Sequence, residues 1–432
     1  MISSTALEAL SVWRKDKRGR KPTLPLAQLL QGLLFHFLFS AGTLAEHLRQ
    51  LTGEQMAEST LAQRRAALGW PMFVEWLRQA LRPLAQCKLQ PEAFWRGWRL
   101  VAWDGTQYSL TNTPQTLARL PKAKARRRKA AWAKITAVVL LELGLHNPLA
   151  AAVGWQGESE YTLTRGLISA LPSQSLLLAD RLSGVTALLA EILTACQTLG
   201  SHFLIRTRKN LLVQKRQRLA DGSALIWVEV RDPQRPRKIV RILKLREICV
   251  RVSRRGIRPE VIRLWTSLLD PHTAPALELA QLYAQRWEQE LYWRQMKLEL
   301  RKSDVLQSHT PETAAQEIMM LVLATALLAH ERARVASGHV PVLKVSFLKC
   351  LELLRPLWLI LALARDVLDP TARQQLGRAV DREIRRCLKP KRRARSCPRA
   401  VRQPVKGWPR LLTPKYTRGD WHYEITHIHR RK

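Results

Sequence analysis

The chain has 432 residues, of which 72 are Lys or Arg and 34 are Asp or Glu, so its formal net charge is +38. This excess of positive charge on a composition that is 46% hydrophobic predicts a globular protein that binds a polyanion, with nucleic acid as the first choice. The 15 tryptophans argue against a ribosomal-type or membrane-surface protein.

The cysteines and the apolar segments indicate the setting of the protein. The six cysteines are scattered and form no Cys-x-x-Cys pair, which argues against a zinc module and favours a reducing, cytoplasmic setting. The most apolar run, residues 26–44, is interrupted by Gln28, Gln31 and His36. This pattern favours an amphipathic core helix over a membrane span, so we expect no membrane partner.

The first predicted domain, residues 1–92, is helical and is expected to bind DNA. The sequence Thr-Leu-Ala-Glu that begins at Thr43 is typical of a capping box, and the helix that it starts is predicted to end near Gly53. Ser59 is predicted to cap a second, basic helix. Two short helices with a tight turn between them indicate a helix-turn-helix.

Beyond this domain the pattern changes to strands. Residues 99–103 are predicted to form a strand that ends at Asp104, where Gly105 lets the backbone turn. Residues 133–143 and 148–155 predict two further strands that are joined by a turn.

The next segment alternates between helix and strand. Residues 161–171 predict a helix, and the apolar run before Asp180, residues 175–179, predicts a short buried strand that ends in an acid. A helix is predicted over 185–199, and another strand over 202–206. The predicted order is therefore β-β-β-α-β-α-β.

A second helical segment, residues 275–300, contains no Gly or internal Pro and is rich in helix-forming residues. At about 100° per residue, four of its side chains fall within a stripe of about 60°. These are Tyr283, Arg286, Glu290 and Lys297. The simplest interpretation of such a stripe is an exposed helix face with ordinary ion pairs.

The last predicted region, residues 331–432, is helical at first and then strongly basic, above all over 382–402. Runs of like charge are usually mobile, so we expect this tail to contact DNA or a second subunit. His422, His427 and His429 are interpreted as tail histidines and not as a metal cluster, because the segment has no cysteine or second ligand pair.

The spacing Tyr-x2-Arg-x3-Glu-x6-Lys of the stripe, with Trp287 directly after the arginine, resembles the signature of a known family. The family is the DDE-class insertion-sequence transposases of the "insertion sequence four" group with the Y-R-E-K helix. The sequences Asp-Gly-Thr from Asp104 and Asp-Arg from Asp180 resemble the same family, and the resemblance covers about residues 43–333. Relatives commonly have a Gly-aromatic pair after the second Asp-Arg, whereas Leu-Ser-Gly follows here.

The order of elements and the resemblance together predict an α/β fold with an RNase H-like catalytic core over residues 93–330. Asp104 and Asp180 would then lie on neighbouring strands, with Glu290 packed beside them. Short charged strands with Asp-Gly and Arg-Gly turns predict an all-β subdomain that is inserted at about residues 209–265.

Three carboxylates from distant positions suit the cleavage of phosphodiester bonds. Two divalent cations can activate the attacking oxygen and stabilise the leaving oxygen, and hard oxygen ligands favour Mg²⁺ or Mn²⁺. We predict that Asp104, Asp180 and Glu290 are the catalytic and metal-binding residues. Asp104 would bridge both ions, and the other two acids would hold one ion each.

These aspartates also have a simpler interpretation. An aspartate after a strand often caps a turn or helix. For Asp180 taken alone, this alternative is as good as the metal-binding role. Asp221, Asp232 and Asp270 resemble turn residues and are the less suitable replacements.

The resemblance and the charge pattern also predict which residues contact DNA, by forked or point-charge contacts with phosphates. They are Arg64, Arg65, Arg126, Arg127, Arg128, Tyr283, Arg286, Arg294 and Lys297. A run of solvated charge is the alternative for the basic run 124–128. Trp227 is either a core residue or a platform for a flipped base, as a tryptophan is in some relatives.

The resulting hypothesis is a bacterial insertion-sequence transposase. It would bind double-stranded DNA at element ends and at the target, act as a homodimer on DNA, and reside in the cytoplasm with the nucleoid. Two alternatives stay open: an RNase H-like structure-specific nuclease that cuts without joining, and an inactive DNA-binding regulator.

Overall fold

The computed structural model describes residues 24–39, 41–122, 130–208, 211–232, 234–235, 237–254, 257–301, 303, 305–390, 395–396, 417–418 and 421–426. The chain forms two compact units, which are described separately. Unit 1 comprises the described residues of Met1–Pro172 and Trp287–Lys389, and unit 2 comprises those of Ser173–Arg286 and Pro390–Lys432. The domain boundaries predicted at residues 92 and 330 do not coincide with the edges of these units, and the three-domain division stays a prediction.

The α-helices are α1 Leu26–Leu38, α2 Leu44–Thr52, α3 Glu58–Ala66, α4 Trp70–Ala80, α5 Pro114–Arg119, α6 Glu160–Gly166, α7 Thr186–Thr198, α8 Ala276–Leu282, α9 Trp287–Arg294, α10 Pro311–Ala336, α11 Phe347–Leu363 and α12 Pro370–Arg386. The strands are β1 Phe94–Trp95, β2 Trp98–Leu110, β3 Ala133–Glu142, β4 Asn147–Val153, β5 Ser175–Ala179, β6 His202–Arg206, β7 Lys215–Arg218, β8 Ala224–Arg231, β9 Ile239–Arg254, β10 Ile257–Thr266, β11 Arg395–Ser396, β12 Thr417–Arg418 and β13 His422–Ile425. The mixed α/β class is confirmed. The elements of the predicted order β-β-β-α-β-α-β are all present, but the structure adds β1 before them and the short helix α5 between β2 and β3.

In unit 1 the predicted capping box of α2 is confirmed. The Oγ1 atom of Thr43 accepts a hydrogen bond of 3.2 Å from the amide of the third helical residue, and the helix ends at Gly53 with a φ of 77°. The predicted cap of α3 is wrong, because α3 begins at Glu58 and Ser59 lies inside its first turn. The carboxylate of Glu58 accepts a hydrogen bond of 3.0 Å from the amide of Ala45, which ties the start of α3 to α2.

The sheet of unit 1 is antiparallel, with β3 between β2 and β4. The prediction that the first strand ends at Asp104 is wrong, since β2 has 13 residues and pairs with β3 up to Leu110. Gly105 does not turn the backbone but lies opposite Val138 in the ladder. A Cβ atom at Gly105 would lie 2.3 Å from the carboxyl carbon of Glu160, so the glycine makes room for that side chain.

Within the described residues, α10 is the one helix that is long and apolar enough to cross a membrane. In this structure, 83% of its apolar window is buried inside the protein, which is the environment of a core helix. Thr310 caps α10, because its hydroxyl accepts a hydrogen bond of 3.2 Å from the amide of Thr313.

In unit 2, β5 and β6 run parallel and are connected by α7. The other strands add antiparallel neighbours: β10 pairs with β6, β9 with β10, β8 with β9, and β7 with β8, while β13 also pairs with β9. The predicted strands 175–179 and 202–206 are confirmed. The prediction of short strands in the charged segment is wrong for β9, which has 16 residues.

Candidate active site

The segment with the Tyr-Arg-Glu-Lys spacing is helical throughout, but its pitch changes. Tyr283–Arg286 is a 3₁₀-helix, α9 follows, and Gln295–Arg301 is a π-helix. A single stripe drawn at 100° per residue therefore does not describe it. The boundary between the two units falls directly after Arg286, so the first two signature residues belong to unit 2 and Glu290 and Lys297 belong to unit 1.

Lys297 belongs to the π-helix, and its side chain contacts β2 in unit 1. Its Nζ atom donates hydrogen bonds of 2.5 Å to the Oγ1 atom of Thr106 and 2.9 Å to the carbonyl of Gln107, and it lies 4.6 Å from the ring centroid of Tyr108. Alternate residues of a strand share one face. Asp104 is two residues before Thr106, so its side chain projects from the face of β2 that Lys297 contacts.

The segment that carries Glu290 is also attached to the sheet of unit 1. The side-chain amide of its neighbour Gln289 donates a hydrogen bond of 3.3 Å to the carbonyl of Val139, and Val139 is paired with Asp104 across β3 and β2. Glu290 also precedes Lys297 by two turns. The Glu290 segment is thus attached to β3, the partner of the strand that carries Asp104, and the side chains of Asp104 and Glu290 are both half-buried.

In unit 2, Asp180 follows β5 directly. Its Oδ1 atom accepts a hydrogen bond of 2.9 Å from the amide of Leu182. This is the contact that the turn-capping interpretation of Asp180 predicts. The hydroxyl of Tyr283 donates a hydrogen bond of 3.1 Å to the carbonyl of Ala179, one residue before the acid. Tyr283, Arg286 and Asp180 are therefore brought together.

The protonation of Tyr283 reflects these neighbours. Burial raises the pKa of its hydroxyl above the usual value, the Arg286 guanidinium acts against this, and the nearby Asp180 carboxylate raises the pKa further. The phenol therefore stays protonated and donates its hydrogen bond at neutral pH. Tyr283 is buried.

Unit 2 also contains a cationic cleft that the sequence analysis missed. The cleft has a volume of about 220 Å³ and is lined by Arg181, Arg206, Thr207, Arg208, Val261 and Arg263. Glu260 forms ion pairs with Arg181, at 3.4 Å, and with Arg206. Arg206 ends β6, which runs parallel to the strand before Asp180. The carboxyl ends of parallel strands meet at one edge, and this rule is the signal that would have identified Arg206.

Other residues predicted to contact DNA differ in their surroundings. Arg65 donates hydrogen bonds to Ser308 Oγ at 3.0 Å and to a carbonyl of α10, so its guanidinium is engaged inside unit 1. Arg64 donates a hydrogen bond of 2.5 Å to the carbonyl of Leu24. Arg294 is exposed on α9. The contacts of Arg64 and Arg65 give no support to a role in binding DNA, which stays a prediction.

Three predicted DNA contacts, Arg126, Arg127 and Arg128, lie outside the described residues. Trp227 in β8 is half-buried, and its ring lies beneath the ammonium groups of Lys215 and Lys244, at 5.0 and 5.8 Å from the ring centroid.

The described part of the chain contains no group of three or more His, Cys, Asp or Glu side chains that could hold a metal ion. Of the tail histidines, His422 lies in β13 and is exposed, while His427 and His429 are outside the described residues. The donor chemistry of Asp104, Asp180 and Glu290, three carboxylates, is nevertheless of the kind that Mg²⁺ and Mn²⁺ prefer.

Comparisons with known proteins identify transposases that are similar to this chain. A curated relative, the transposase InsG for insertion sequence element IS4 of Escherichia coli (strain K12), is 29% identical over 289 residues, which are 65% of this chain and 62% of that protein. The chain thus spans less than two thirds of the length of this relative. A cryo-EM structure of the piggyBac transposase synaptic complex with hairpin DNA has a TM-score of 0.45 and 10% identity, over 87% of this chain and 80% of that chain.

A family model described as the transposase DDE domain matches residues 97–327. The match covers more than half of the chain and includes β2 with Asp104, β5 with Asp180, and α9 with Glu290. The chain therefore belongs to the transposase DDE domain family.

Proposed function

We propose that this protein is a DNA transposase that binds the ends of its element, hydrolyses phosphodiester bonds with divalent metal ions, and joins the freed 3′-hydroxyl to target DNA. The observation that carries the proposal is the match of the transposase DDE domain model to residues 97–327, and the contact of Lys297 with Thr106, on the strand that carries Asp104, supports it. The net charge of +38 supports DNA as the partner.

The metal ions would be held by Asp104, Asp180 and Glu290. Two bound Mg²⁺ or Mn²⁺ ions would supply activation of the attacking oxygen and stabilisation of the leaving oxygen. The three carboxylates give a set of hard oxygen donors, and the half-buried positions of all three leave them open to solvent and substrate.

The cationic groups would position the DNA. Lys297 is fixed by Thr106 and by the ring of Tyr108, so its ammonium is held on the same strand face as Asp104 and suits a phosphate near the reacting bond. In unit 2, Arg286 and the arginines of the cleft suit further backbone phosphates. These groups neutralise the phosphates and place the strand.

The finer architecture is part of the proposal. We infer an RNase H-like core over residues 93–330, because β2, β3, β4, α6, β5, α7 and β6 follow the order such a core requires, with the short helix α5 added after β2 and with β7 to β10 and α8 preceding the Glu290 segment. The antiparallel strands β7 to β9 fit the inserted all-β subdomain at about residues 209–265. A helical DNA-binding domain over 1–92, a helical and basic region over 331–432, a homodimer on DNA and a cytoplasmic, nucleoid-associated location complete the proposal.

The test is a cleavage and joining assay with the full chain, Mg²⁺, and DNA that carries the inverted repeats flanking its coding region. The variants Asp104→Asn and Glu290→Gln are expected to lose cleavage and joining while they still bind DNA. A matched control is Asp366→Asn, because this acid is 89% exposed and lies outside the site.

The outcomes separate the alternatives. Cutting and joining that Asp104→Asn abolishes supports the transposase. Cutting without joining would instead identify a nuclease, and binding without any cutting would identify a regulator. Cutting and joining that persist in both site variants would reject the assignment of these acids.

A further inference from the structure

His146 is a buried histidine in the turn between β3 and β4. Its side chain is 2% exposed, and its backbone has a φ of 55°, in the left-handed region that residues other than glycine rarely adopt. A buried polar ring in a strained turn is less favourable than an apolar residue or a glycine would be there, and such positions cluster at functional sites. The contacts of the ring show what it does.

The imidazole holds the Glu290 segment at two points. Its Nε2 atom lies 2.8 Å from Oε2 of Glu288, and its Nδ1 atom lies 2.9 Å from Oε1 of Gln295. Glu288 is two residues before Glu290 in α9, and Gln295 is the first residue of the π-helix. The clamp therefore spans the residue that carries the predicted catalytic carboxylate.

A neutral ring satisfies both contacts. Burial lowers the pKa of His146, and the hydrogen bond to the Glu288 carboxylate opposes this only in part. The Nε2–H group then donates to Glu288, and Nδ1 accepts from the Gln295 amide once that amide is rotated by 180°. One ring thus ties together the β3–β4 turn, α9 and the π-helix.

A third contact fixes the position of the Glu290 segment along the sheet. The buried amide of Gln289 donates to the carbonyl of Val139, the partner of Asp104 in the ladder. Gln289 and the His146 clamp both join the Glu290 segment to the hairpin formed by β3 and β4. Within this hairpin, β3 is paired along its length with β2, the strand that carries Asp104.

We infer that His146 is a positioning residue: by clamping Glu288 and Gln295 it holds the Glu290 segment so that Glu290 stays level with Asp104. This inference rests on the proposed function, since it assigns the clamp to the metal-dependent cleavage step. His146 touches neither DNA nor the reacting atoms in this role. It acts through the segment that it holds.

The test uses two substitutions that the turn can accept. His146→Gly keeps the left-handed backbone and removes the ring, and His146→Asn keeps a polar side chain of a type that tolerates this conformation. The matched control is His202→Asn, which removes a half-buried histidine that contacts Ser267 at 3.1 Å in unit 2. For each protein we would measure kcat and KM for end DNA, the Mg²⁺ concentration for half-maximal cleavage, and the thermal midpoint.

A misplacement of about 1 Å can cost on the order of 100-fold in rate. We therefore expect His146→Gly to lower kcat by about that factor and to need more Mg²⁺, with KM for DNA within about twofold of the parent protein. Added imidazole is expected to enter the cavity and restore part of the rate, and His146→Asn is expected to fall between the two. His202→Asn is expected to keep the parent kcat and Mg²⁺ dependence.

The inference is overturned if folded His146→Gly or His146→Asn keeps the parent kcat and Mg²⁺ dependence, or if imidazole restores nothing to a slow His146→Gly. The parent protein and Asp104→Asn, run in the same assay, separate the two failures. If the parent cuts and Asp104→Asn does not, the proposed function holds whatever the clamp variants show. If the parent does not cut, the proposed function fails and the inference fails with it.

Discussion

Glu260 neutralises part of the cationic cleft in unit 2, so its replacement by glutamine is expected to strengthen DNA binding. Its carboxylate is paired with Arg181 and Arg206. A phosphate that enters the cleft must compete with this carboxylate for both guanidinium groups. Glu260→Gln removes one negative charge and releases two forked donors for phosphate contacts.

The expected size of the effect follows from counterion release. Each phosphate that a cation neutralises adds about 0.9 to the slope of log K against log salt concentration on duplex DNA. Over a fourfold rise in salt, from about 50 to 200 mM, one such contact changes Kd by about 3.5-fold. Glu260→Gln is therefore expected to steepen the slope by about 0.9 to 1.8, for one or two new contacts.

The assay is a titration of labelled end DNA at several salt concentrations without divalent ions, so that no cleavage occurs. Arg208→Ala is expected to flatten the slope by about 0.9, and Arg206→Ala by less, because Glu260 already neutralises Arg206 in the parent protein. The gain from Glu260→Gln should shrink when Arg206→Ala is present, because one of the released guanidinium groups is then absent. Arg365→Ala, which removes an exposed arginine of unit 1, serves as the charge-matched control.

The reasoning would be refuted by a Glu260→Gln protein whose affinity and salt slope equal those of the parent protein. It would also be refuted if Arg365→Ala flattened the slope as much as the cleft variants do. In that case the protein's overall charge, and not the cleft, would govern DNA binding.

Three further predictions concern stability and are checked by urea unfolding. Gly105→Ala is expected to cost about 1 to 3 kcal/mol, because its Cβ atom would lie 2.3 Å from the Glu160 carboxyl carbon. Adding Glu160→Ala should recover much of that loss. If the double variant instead lost the sum of the unfolding free energies lost by the two single variants, the clash would be contradicted. Burial and the charge of His47 lower the pKa of His36 from 6.5 to about 4, so the unfolded chain binds more protons between these values and stability falls as pH falls. Between about pH 6.5 and 5, the free energy of unfolding of the His36→Phe protein should therefore fall by about 2 kcal/mol less than that of the parent protein. An equal fall in both proteins would contradict this. Glu142→Leu is expected to cost about 3 to 5 kcal/mol, because it removes the carboxylate that pairs with Arg99 and that accepts hydrogen bonds from two backbone amides. A loss below about 1 kcal/mol would contradict this.

Local sequence was sufficient where one physical effect dominates. The apolar residues of β5 allow only a buried strand, and the acid that follows must lie where the strand meets solvent, which places Asp180 correctly. The capping box at Thr43 likewise predicts both ends of α2, because the side-chain cap and the glycine each satisfy backbone groups of that helix.

The strand of Asp104 was not predictable from its own residues. The polar residues after Asp104, with a glycine among them, have the local pattern of a turn, yet the strand continues to Leu110. It continues because Lys297 covers one face and Glu160 the other, and because β3 supplies partners along the whole length. These partners come from distant positions in the chain, so a local pattern does not reveal them.

The Tyr-Arg-Glu-Lys spacing predicted that the segment is helical, but it did not predict the changes in helical pitch. A uniform helix would present one stripe, whereas the 3₁₀-helix and π-helix on either side of α9 change the direction of each group. Two signature residues, Tyr283 and Arg286, lie near Asp180 in unit 2, and Lys297 contacts β2, the strand of Asp104, in unit 1. The signature residues thus contact different elements in the two units, and the changes in pitch mean that a uniform helix does not describe their directions. This division explains why residues that hold the segment, such as His146, bear on the chemistry without contacting the substrate.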